Sequence, residues 1–251
     1  MTQRPFIAAS NHLQEIKRLV TLLSGVRTNI LITGEIGTGK SFIAKQISPQ
    51  AVIADGANLP ELLTILNTFN EVIIENFDAI TNYDQITLEG RRLIAITTRP
   101  IRSAIVDRFF GMTIELLPLR DHPEDILPLS ELFLQELQES YGITASLPLS
   151  HMKLDISQNA HSLRQSIAKE LLLSTLTHDE IETLLERFIA THAKGEADYD
   201  RFLALFDRAM IRAMYRLHRS QLSMAAHMGI NRNTLRKKIK ELGIYLEDSH
   251  D

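Results

Sequence analysis

The sequence contains no cysteine among its 251 residues, which excludes disulfide bonds, thiolate metal sites and thiol nucleophiles. No apolar stretch approaches the about 18 residues that would suggest a membrane span, and Met1 to Pro5 begin no signal peptide. Positive charge is not in excess either. The formal net charge of −4 argues against a protein that coats nucleic acid along its whole surface. These absences predict a cytoplasmic protein with no membrane partner, on which any basic patch must be local.

The composition that remains is that of an ordinary globular protein, with 44% hydrophobic and 23% charged residues. A chain of 251 residues suffices for one large domain with a small appendage, or for two domains. Apolar runs alternate with helical patterns in the first half, which predicts an α/β fold with a parallel sheet covered by helices. The predicted strands are 29–33, 51–54, 71–75, 92–97 and 112–116. Beyond His122 only helices are predicted, at 122–140, 162–176 and 178–192, before a small polar linker.

A glycine-rich segment lies between the first predicted strand and a helical pattern. It reads Gly34-Glu35-Ile36-Gly37-Thr38-Gly39-Lys40-Ser41 and matches a phosphate-binding loop. Its glycines let backbone N–H groups turn towards phosphates, Lys40 reaches the β- and γ-phosphates, and Ser41 offers a hydroxyl to Mg²⁺. A plain glycine-rich turn is the alternative, but a chance match to the whole pattern is on the order of one in a hundred. The segment therefore predicts binding of ATP or ADP with Mg²⁺.

The C-terminal segment carries a second pattern. Ser220 to Met228 reads as a short helix, Gly229 breaks it, and Asn231 caps a second helix, so a helix-turn-helix is predicted. Nine Lys or Arg residues and one acidic residue lie between Arg208 and Gly243. A solvated basic helix that caps a bundle is the alternative to binding double-stranded DNA. The predicted DNA-contacting residues are Asn231, Arg232, Asn233, Thr234, Arg236, Lys237 and Lys240.

The helix that precedes this pattern, at roughly 200–218, has a broad apolar face and a separate row of arginines. The apolar face includes Phe202, Phe206, Met210 and Leu217. Such a face serves either as a dimer seam or as core packing. We expect the dimer seam.

Several of these segments resemble a known bacterial family. The glycine-rich loop, the segment from Arg102 to Arg108, the stretch from Pro118 to Ile126 and the C-terminal helices are similar to the NtrC-like, sigma-54-dependent enhancer-binding regulators. The resemblance implies an AAA+ ATPase domain with an α-helical lid, followed by a small all-α helix-turn-helix domain of the Fis type. It covers nearly the whole chain, and we expect no receiver or ligand-sensing domain before the ATPase-like part.

The resemblance also implies roles for four further residues. Arg102 and Arg108 correspond to arginines that reach the γ-phosphate of a neighbouring subunit, with plain surface or salt-bridged arginines as the alternative. Arg164 stands where the family has its second sensor arginine, and Thr98 stands where its first sensor is usually asparagine. A threonine hydroxyl still bonds a water or a phosphate, but it cannot span the same geometry as the amide.

The strand that normally ends in Asp-Glu ends here in Glu75-Asn76. A neutral amide cannot take the proton of the attacking water, whereas Glu75 still offers oxygen ligands to Mg²⁺. Because loss of a general base commonly costs about 10²–10⁴ in rate, we expect nucleotide binding with slow or absent hydrolysis. Replacement of the base by Asp78 is the open alternative.

The loop with which the family contacts the sigma factor is also missing. Only 34 residues separate Lys40 from Glu75, Gly56 is the only glycine among them, and no Gly-Ala-Phe-Thr-Gly-Ala sequence occurs. Loss of the contact loop agrees with loss of the catalytic acid, because motion driven by ATP hydrolysis has no use without a loop that transmits it to the sigma factor.

Together these patterns predict a DNA-binding transcription regulator whose degenerate AAA+ domain binds ATP or ADP and controls self-association. Its predicted partners are double-stranded DNA, other copies of the chain, as a dimer or an AAA+ ring, and RNA polymerase. The predicted domains are the nucleotide domain 1–120, the helical lid 121–192, the linker 193–199 and the helix-turn-helix domain 200–251. Two other functions stay open: an active ATPase that activates sigma-54-dependent transcription, and a DNA-binding scaffold that has lost nucleotide.

Overall fold

The computed structural model describes residues 5–87, 90–149, 152 and 154–246. The chain divides into two compact units, Met1–Thr175 and Leu176–Asp251. The predicted start of the first domain at residue 1 and the predicted end of the last domain at residue 251 lie outside the described residues. The prediction of no signal peptide partly depends on the first four residues, which also lie outside them.

A parallel sheet of five strands forms the centre of the first unit, in the order β2-β3-β4-β1-β5. The strands are β1 (Ile30–Gly34), β2 (Val52–Asp55), β3 (Glu71–Glu75), β4 (Arg92–Thr97) and β5 (Met112–Leu116). Aliphatic side chains fill the middle strands, as expected for parallel strands that are covered on both faces. All five predicted strands and the α/β class are confirmed.

In the described part of this unit, six α-helices surround the sheet or extend from it. They are α1 (Asn11–Ser24), α2 (Lys40–Ile47), α3 (Leu59–Thr68), α4 (Ser103–Phe109), α5 (Ile126–Tyr141) and α6 (Asn159–Leu173). α1 and α2 contribute to the core on one face of the sheet, and α3 contributes to the core on the other face. α5 and α6 pack on each other around a separate core that includes Phe133, Leu163 and Ile167. This helical pair forms the lid beside the sheet.

The second unit is entirely helical in its described part. Its helices are α7 (His178–His192), α8 (Asp198–His218), α9 (Gln221–His227) and α10 (Arg232–Glu241). A small core of Ile211, Met224, Ala225, Leu235 and Ile244 joins α8, α9 and α10. Within the described residues, no helix has the length and apolar character needed to cross a membrane.

The boundary between the units differs from the predicted end of the lid at residue 192. The first unit ends at Thr175, and α7 belongs with the second unit. The physical reason is that α7 buries none of its own residues in a core, whereas Phe188 packs edge-on against Phe202 of α8 at 6.2 Å. The short connection also ties α7 to α8, because Asp198 Oδ2 accepts the backbone N–H groups of Lys194 and Gly195 at 2.8 Å.

Candidate nucleotide site and basic helix

The glycine-rich loop joins β1 to α2 at the carboxyl end of the sheet. Its glycines have φ angles of 149° at Gly34, 79° at Gly37 and 93° at Gly39, which side chains disfavour. Gly39 directly precedes Lys40, the first residue of α2. A loop of this kind ahead of a helix N-terminus is the arrangement that binds phosphate.

Lys40 is buried beneath this loop, with 8% of its surface exposed. Its Nζ donates hydrogen bonds to the backbone oxygens of Gly34 and Glu35 at 2.8 and 2.6 Å. Burial lowers the pKa of Lys40, and the nearby carboxylates of Asp78 and Glu35 oppose that shift. Because its direct partners are neutral carbonyls, a phosphate oxygen would be a stronger acceptor for this ammonium group.

Ser41 and Glu75 meet where α2 begins and β3 ends. Ser41 Oγ donates a hydrogen bond to Glu75 Oε1 at 2.6 Å. Hydroxyl and carboxylate oxygens are ligands that Mg²⁺ accepts, usually together with waters and phosphate oxygens. No cluster of three or more His, Asp or Glu side chains in the described part of the chain would hold a metal by itself. A cation at this pair would therefore depend on nucleotide oxygens.

Asn76 follows Glu75 in a left-handed conformation, with φ 51° and ψ 41°, which asparagine tolerates better than most residues. Its Nδ2 donates to Asp55 Oδ1 at 3.0 Å. This bond, together with one from the backbone of Ala57, lowers the pKa of Asp55. The backbone oxygen of Asn76 also lies so close to Gly56 that a Cβ there would come within 2.4 Å of it. Asn76 thus ties the end of β3 to the end of β2.

A bidentate ion pair links the loop to the segment before α5. Arg120 donates to both carboxylate oxygens of Glu35, at 2.5 and 2.8 Å. The hydrogen bond from Arg120 lowers the pKa of Glu35 and, in return, raises the pKa of Arg120. This pair was not predicted from the sequence, although an acidic residue inside the loop and an arginine in Pro118-Leu119-Arg120 were both visible.

The first turn of α6 packs directly on the same loop. Asn159, which is 2% exposed, donates from Nδ2 to the backbone oxygen of Ile36 at 2.8 Å. Its Oδ1 accepts the N–H of Leu119 at 2.6 Å, and the N–H of Ala160 donates to Gly37 at 3.0 Å. These contacts, which the sequence did not predict, fix the lid to the tip of the phosphate-binding loop.

An apolar cavity of about 110 Å³ opens beside Thr38 and Gly39. Its walls come from the N-terminal segment, α1, α2, β5, α5 and α6, and they include Phe6, Leu13, Phe42, Leu116, Leu129 and Phe133. An apolar cleft next to a phosphate-binding loop suits the flat ring of a nucleobase. Apart from Thr38 and Gly39 of the loop, no residue of this cavity was predicted from the sequence, because its other walls come from six separate elements.

Asp125 holds the N-terminal segment that forms one wall of this cavity. Its carboxylate accepts the backbone N–H of Ala9 at 2.6 Å and that of Ser10 at 3.2 Å, and it lies 3.0 Å from His122 Nδ1. Burial would raise the pKa of Asp125, but the hydrogen bonds from Ser10, Ala9 and His122 outweigh it and lower the pKa. Asp125 is therefore an ionised, fully bonded anchor.

The two arginines predicted to act on a neighbouring subunit have different surroundings. Arg102 is exposed at the N-terminus of α4, and its guanidinium has no bonded partner among the residues that the structure describes; it borders a polar cleft of about 320 Å³ with Asp78 and Tyr83. Arg108 is held within its own chain by Asp84 at 2.6 Å. Of the two, Arg102 is the one free to reach another molecule.

The predicted sensor residues lie near the sheet edge and in the lid. Thr98 is exposed directly after β4, while the adjacent Thr97 is buried. Arg164 pairs with Glu136 of α5 at 2.5 Å and lies over the ring of Phe133. Arg164 therefore bonds to the neighbouring lid helix, one turn beyond the residues of α6 that contact the loop.

In the second unit, α9 and α10 are joined by residues 228–231, with Gly229 at φ 65°. Asn231 caps α10 as predicted, since its side chain accepts the N–H of Asn233 at 2.8 Å. All seven residues predicted to contact DNA are exposed, whereas Leu235 is fully buried. Lys238 instead turns back to α8 and pairs with Asp207 at 2.5 Å. The exposed face of α10 is thus basic and uncommitted to the core.

Comparison with known proteins gives a consistent set of relatives. A family model described as the Sigma-54 interaction domain matches residues 6–59. The HTH-type transcriptional regulatory protein TyrR of Salmonella typhimurium is 24% identical, and the match covers 94% of this chain and 58% of the TyrR length. The DNA-binding transcriptional regulator NtrC of Rhizobium meliloti is 22% identical, with coverage of 96% and 70%. The chain thus spans about half of the length of the TyrR relatives that it matches.

Solved structures agree with this result at the level of the fold. NtrX of Brucella abortus, crystallised with ADP, superposes with a TM-score of 0.58 at 17% identity and covers 96% of this chain and 70% of that one. NtrX with ATP gives a TM-score of 0.57 at 19% identity and the same coverage. The chain is similar to sigma-54-dependent enhancer-binding regulators, and its sequence lacks the Gly-Ala-Phe-Thr-Gly-Ala loop and the Asp-Glu pair.

Proposed function

We propose that this protein is a DNA-binding transcription regulator of the cytoplasm whose AAA+ unit binds ATP or ADP with Mg²⁺ as a signal and hydrolyses it weakly or not at all. The observation that carries the proposal is a complete phosphate-binding loop beside Asn76. This residue is a hydrogen-bonded amide at the place where the resemblance implies a catalytic carboxylate. Lys40, Ser41 and Glu75 supply what binding requires. Asn76, engaged with Asp55, supplies no base for hydrolysis.

The lid supports nucleotide binding as a switch. Asn159 of the lid bonds Ile36 of the loop, and Arg120, in the segment that leads into the lid, bonds Glu35 of the loop. The apolar cavity lies between the lid and the N-terminal segment, so a bound base would touch both. A ligand shifts an equilibrium only by its different affinity for two states, and a base in this cavity would favour one lid position over others.

DNA binding is supported by the charge and exposure of α10. Arg232, Arg236, Lys237 and Lys240 are all exposed and lie on a short helix whose apolar side is buried. Lysine and arginine on such a face neutralise DNA phosphates, while Asn and Arg side chains read base edges. Of the relatives, TyrR is named as an HTH-type transcriptional regulatory protein and NtrC as a DNA-binding transcriptional regulator.

Self-association is supported by apolar surface on α7 and α8. Phe206 and Leu217 of α8 are 56% and 70% exposed, and Ile181 and Leu184 of α7 are each 51% exposed. Apolar patches of this kind mark interaction sites. We propose that a second copy covers this surface to form a dimer, and that Arg102 of the nucleotide-binding unit adds a nucleotide-dependent contact between copies.

The decisive experiment measures nucleotide affinity and steady-state phosphate release on the same sample, with and without DNA, and with Lys40→Ala as the control. We expect binding that Lys40→Ala abolishes, together with little or no turnover that depends on Lys40. Absence of any nucleotide binding would favour the DNA-binding scaffold instead.

An active ATPase that activates sigma-54-dependent polymerase is the second candidate, and Asp78 is the observation in its favour. Asp78 follows β3 closely, and its carboxylate is near enough to Lys40 to oppose the lowering of the Lys40 pKa by burial. This candidate predicts robust turnover that Lys40→Ala and Asp78→Asn both abolish, together with capture of sigma-54 RNA polymerase in a pull-down.

A further inference from the structure

The C-terminal half of α8 carries three arginines on one face. Arg208, Arg212 and Arg216, called the α8 arginine row below, follow one another at intervals of four residues. This spacing places helical side chains within about 80° of one another around the axis, with about 6 Å between neighbours along it. The row is therefore a continuous basic ridge about 12 Å long. Arg212 and Arg216 are exposed, and Arg208 is half-buried.

The α8 arginine row lies between two faces of the helix that have different surroundings. On one side of the row, Ile211 is fully buried in the small core that α8 shares with α9 and α10. On the other side lies the apolar face of α8, on which Phe206 and Leu217 are exposed. A second copy that covers this apolar face would leave the row at its edge, where it stays open to another partner.

No carboxylate in the described part of the chain pairs with the α8 arginine row. Two acidic residues of α8 are engaged elsewhere, since Asp198 pairs with Arg201 at 2.7 Å and Asp207 pairs with Lys238 at 2.5 Å. The third, Asp200, lies about two turns before the row. Like charges one turn apart repel one another and destabilise a helix. A partner that supplies negative charge would therefore bind the row and relieve this repulsion.

The same packing fixes the row relative to the basic face of α10. Asp207, which pairs with Lys238 of α10, directly precedes the first arginine of the row. Ile211, Met224 and Leu235 join the three helices in one buried core. The row and the exposed face of α10 are thus parts of one body, and one partner can neutralise both.

Double-stranded DNA is a polyanion of the required kind. It carries about one phosphate per 1.7 Å of its axis, so that about seven phosphates lie along the length of the row. The planar guanidinium group of arginine binds phosphate through two parallel N–H donors. An acidic protein surface is the other class of partner, but it does not explain why the row shares a body with α10.

We propose that the α8 arginine row is a second DNA-contacting surface, which binds backbone phosphates outside the segment that α10 contacts. The inference rests on the DNA binding proposed above and extends it to a second helix. Contacts to phosphates position a protein on the duplex and carry no sequence information directly. The row therefore adds affinity and orientation on every sequence alike.

The test measures the affinity of the full chain for mixed-sequence DNA duplexes over a range of salt concentrations. Arg212→Gln and Arg216→Gln each remove one charge and keep a long side chain that favours helix. We expect each to lower the slope of log affinity against log salt by about 1, and the double variant to lower it by about 2. The loss should be the same for duplexes of different sequence. Arg212→Lys together with Arg216→Lys should keep most of the wild-type slope, because lysine still neutralises a phosphate.

Arg187→Gln is the matched control, because it removes the same charge from the exposed surface of α7 and should leave the slope unchanged. Sedimentation velocity and thermal unfolding without DNA check that the double glutamine variant keeps the wild-type assembly and fold.

A double glutamine variant with the wild-type slope would overturn the role of the row, and so would an equal loss in Arg187→Gln. A smaller assembly of that variant without DNA would also overturn it and would assign the row to a contact between copies. If Lys237→Ala still lowers the slope in these cases, the proposed DNA binding survives. If the wild type binds no duplex at all, both proposals fail.

Discussion

Asn76 and Glu75 are adjacent in sequence but do different things at the end of β3. Glu75 faces Ser41 across the mouth of the loop, whereas Asn76 bonds Asp55 on the next strand. A glutamate in place of Asn76 would therefore meet a carboxylate instead of donating to it. The left-handed backbone adds a cost of about 1 kcal/mol for most side chains.

From this geometry we predict that Asn76→Glu alone lowers the free energy of unfolding and restores little hydrolysis. The double variant with Asp55→Asn removes the repulsion, and we expect it to regain stability and to release phosphate faster than wild type. Urea unfolding and phosphate release on the same samples check both statements. Turnover no faster than wild type in a folded double variant would mean that the missing base is not what limits hydrolysis; Lys40→Ala in the same background is the control.

The N-terminal segment and α5 are joined through Asp125, whose carboxylate accepts two backbone N–H groups. Because the folded-state pKa of Asp125 is lowered, its stabilisation is present above the ordinary aspartate pKa of about 3.9 and is lost as pH falls through the lowered value. We predict that Asp125→Asn costs about 1–3 kcal/mol at neutral pH, since buried donors lose a charged acceptor.

Urea unfolding of wild type and Asp125→Asn at about pH 7 and about pH 3, below the ordinary aspartate pKa, measures this linkage. The difference between the two proteins should shrink at the lower pH. Asp107→Asn, on the exposed surface of α4, serves as the control and should change little. If the difference in free energy of unfolding between wild type and Asp125→Asn stays constant with pH, Asp125 stabilises the fold by packing and not by its charge.

α10 offers a matched pair of lysines on one helix. Lys237 is exposed and has only a distant partner in Glu241 at 3.7 Å, whereas Lys238 is held by Asp207 of α8. We predict that Lys237→Ala weakens DNA binding and reduces the slope of log affinity against log salt by about 1, since one phosphate contact is lost.

Lys238→Ala should leave that slope unchanged and instead lower the stability of the second unit. Salt titrations of affinity for double-stranded DNA, with thermal unfolding of each variant, separate the two effects. If both lysines changed the slope equally, α10 would not face DNA in the proposed way.

The elements that the sequence predicted well are those with a strong local pattern. Strands such as Ile30–Gly34 are nearly continuous aliphatic runs, and Gly229 with Asn231 marks the turn before α10. The loop also has a local pattern, since its glycines and Lys40 are adjacent. Interactions between residues close in the chain determine these features, so one sequence is enough to predict them.

The contacts that the sequence missed join residues far apart in the chain. Glu35 and Arg120 are 85 residues apart, and Asn159 bonds Ile36 over 123 residues. For α7 the helix was predicted with its correct bounds, but its apolar face gave no indication of which unit it would join. Likewise Arg164 and Asn159 occupy the same helix, and only packing shows which one bonds the loop.

At the level of the whole molecule, nucleotide and DNA would bind to different compact units of one chain. Coupling between them requires a state that nucleotide favours and that changes how copies assemble. Arg102, exposed and unbonded among the described residues, is the group best suited to touch a neighbouring copy. Arg108 would first have to leave Asp84.

We therefore predict that ATP or ADP shifts the wild-type protein to a larger assembly in sedimentation velocity. Arg102→Ala should remove this shift but retain the nucleotide affinity of each chain. Arg108→Ala should reduce the shift less, because an exposed ion pair within one chain contributes little to stability or assembly. A wild-type assembly that does not respond to nucleotide would end the idea of nucleotide-controlled association. Loss of the shift only in Arg108→Ala would instead transfer the intermolecular role to Arg108, at the cost of its bond with Asp84.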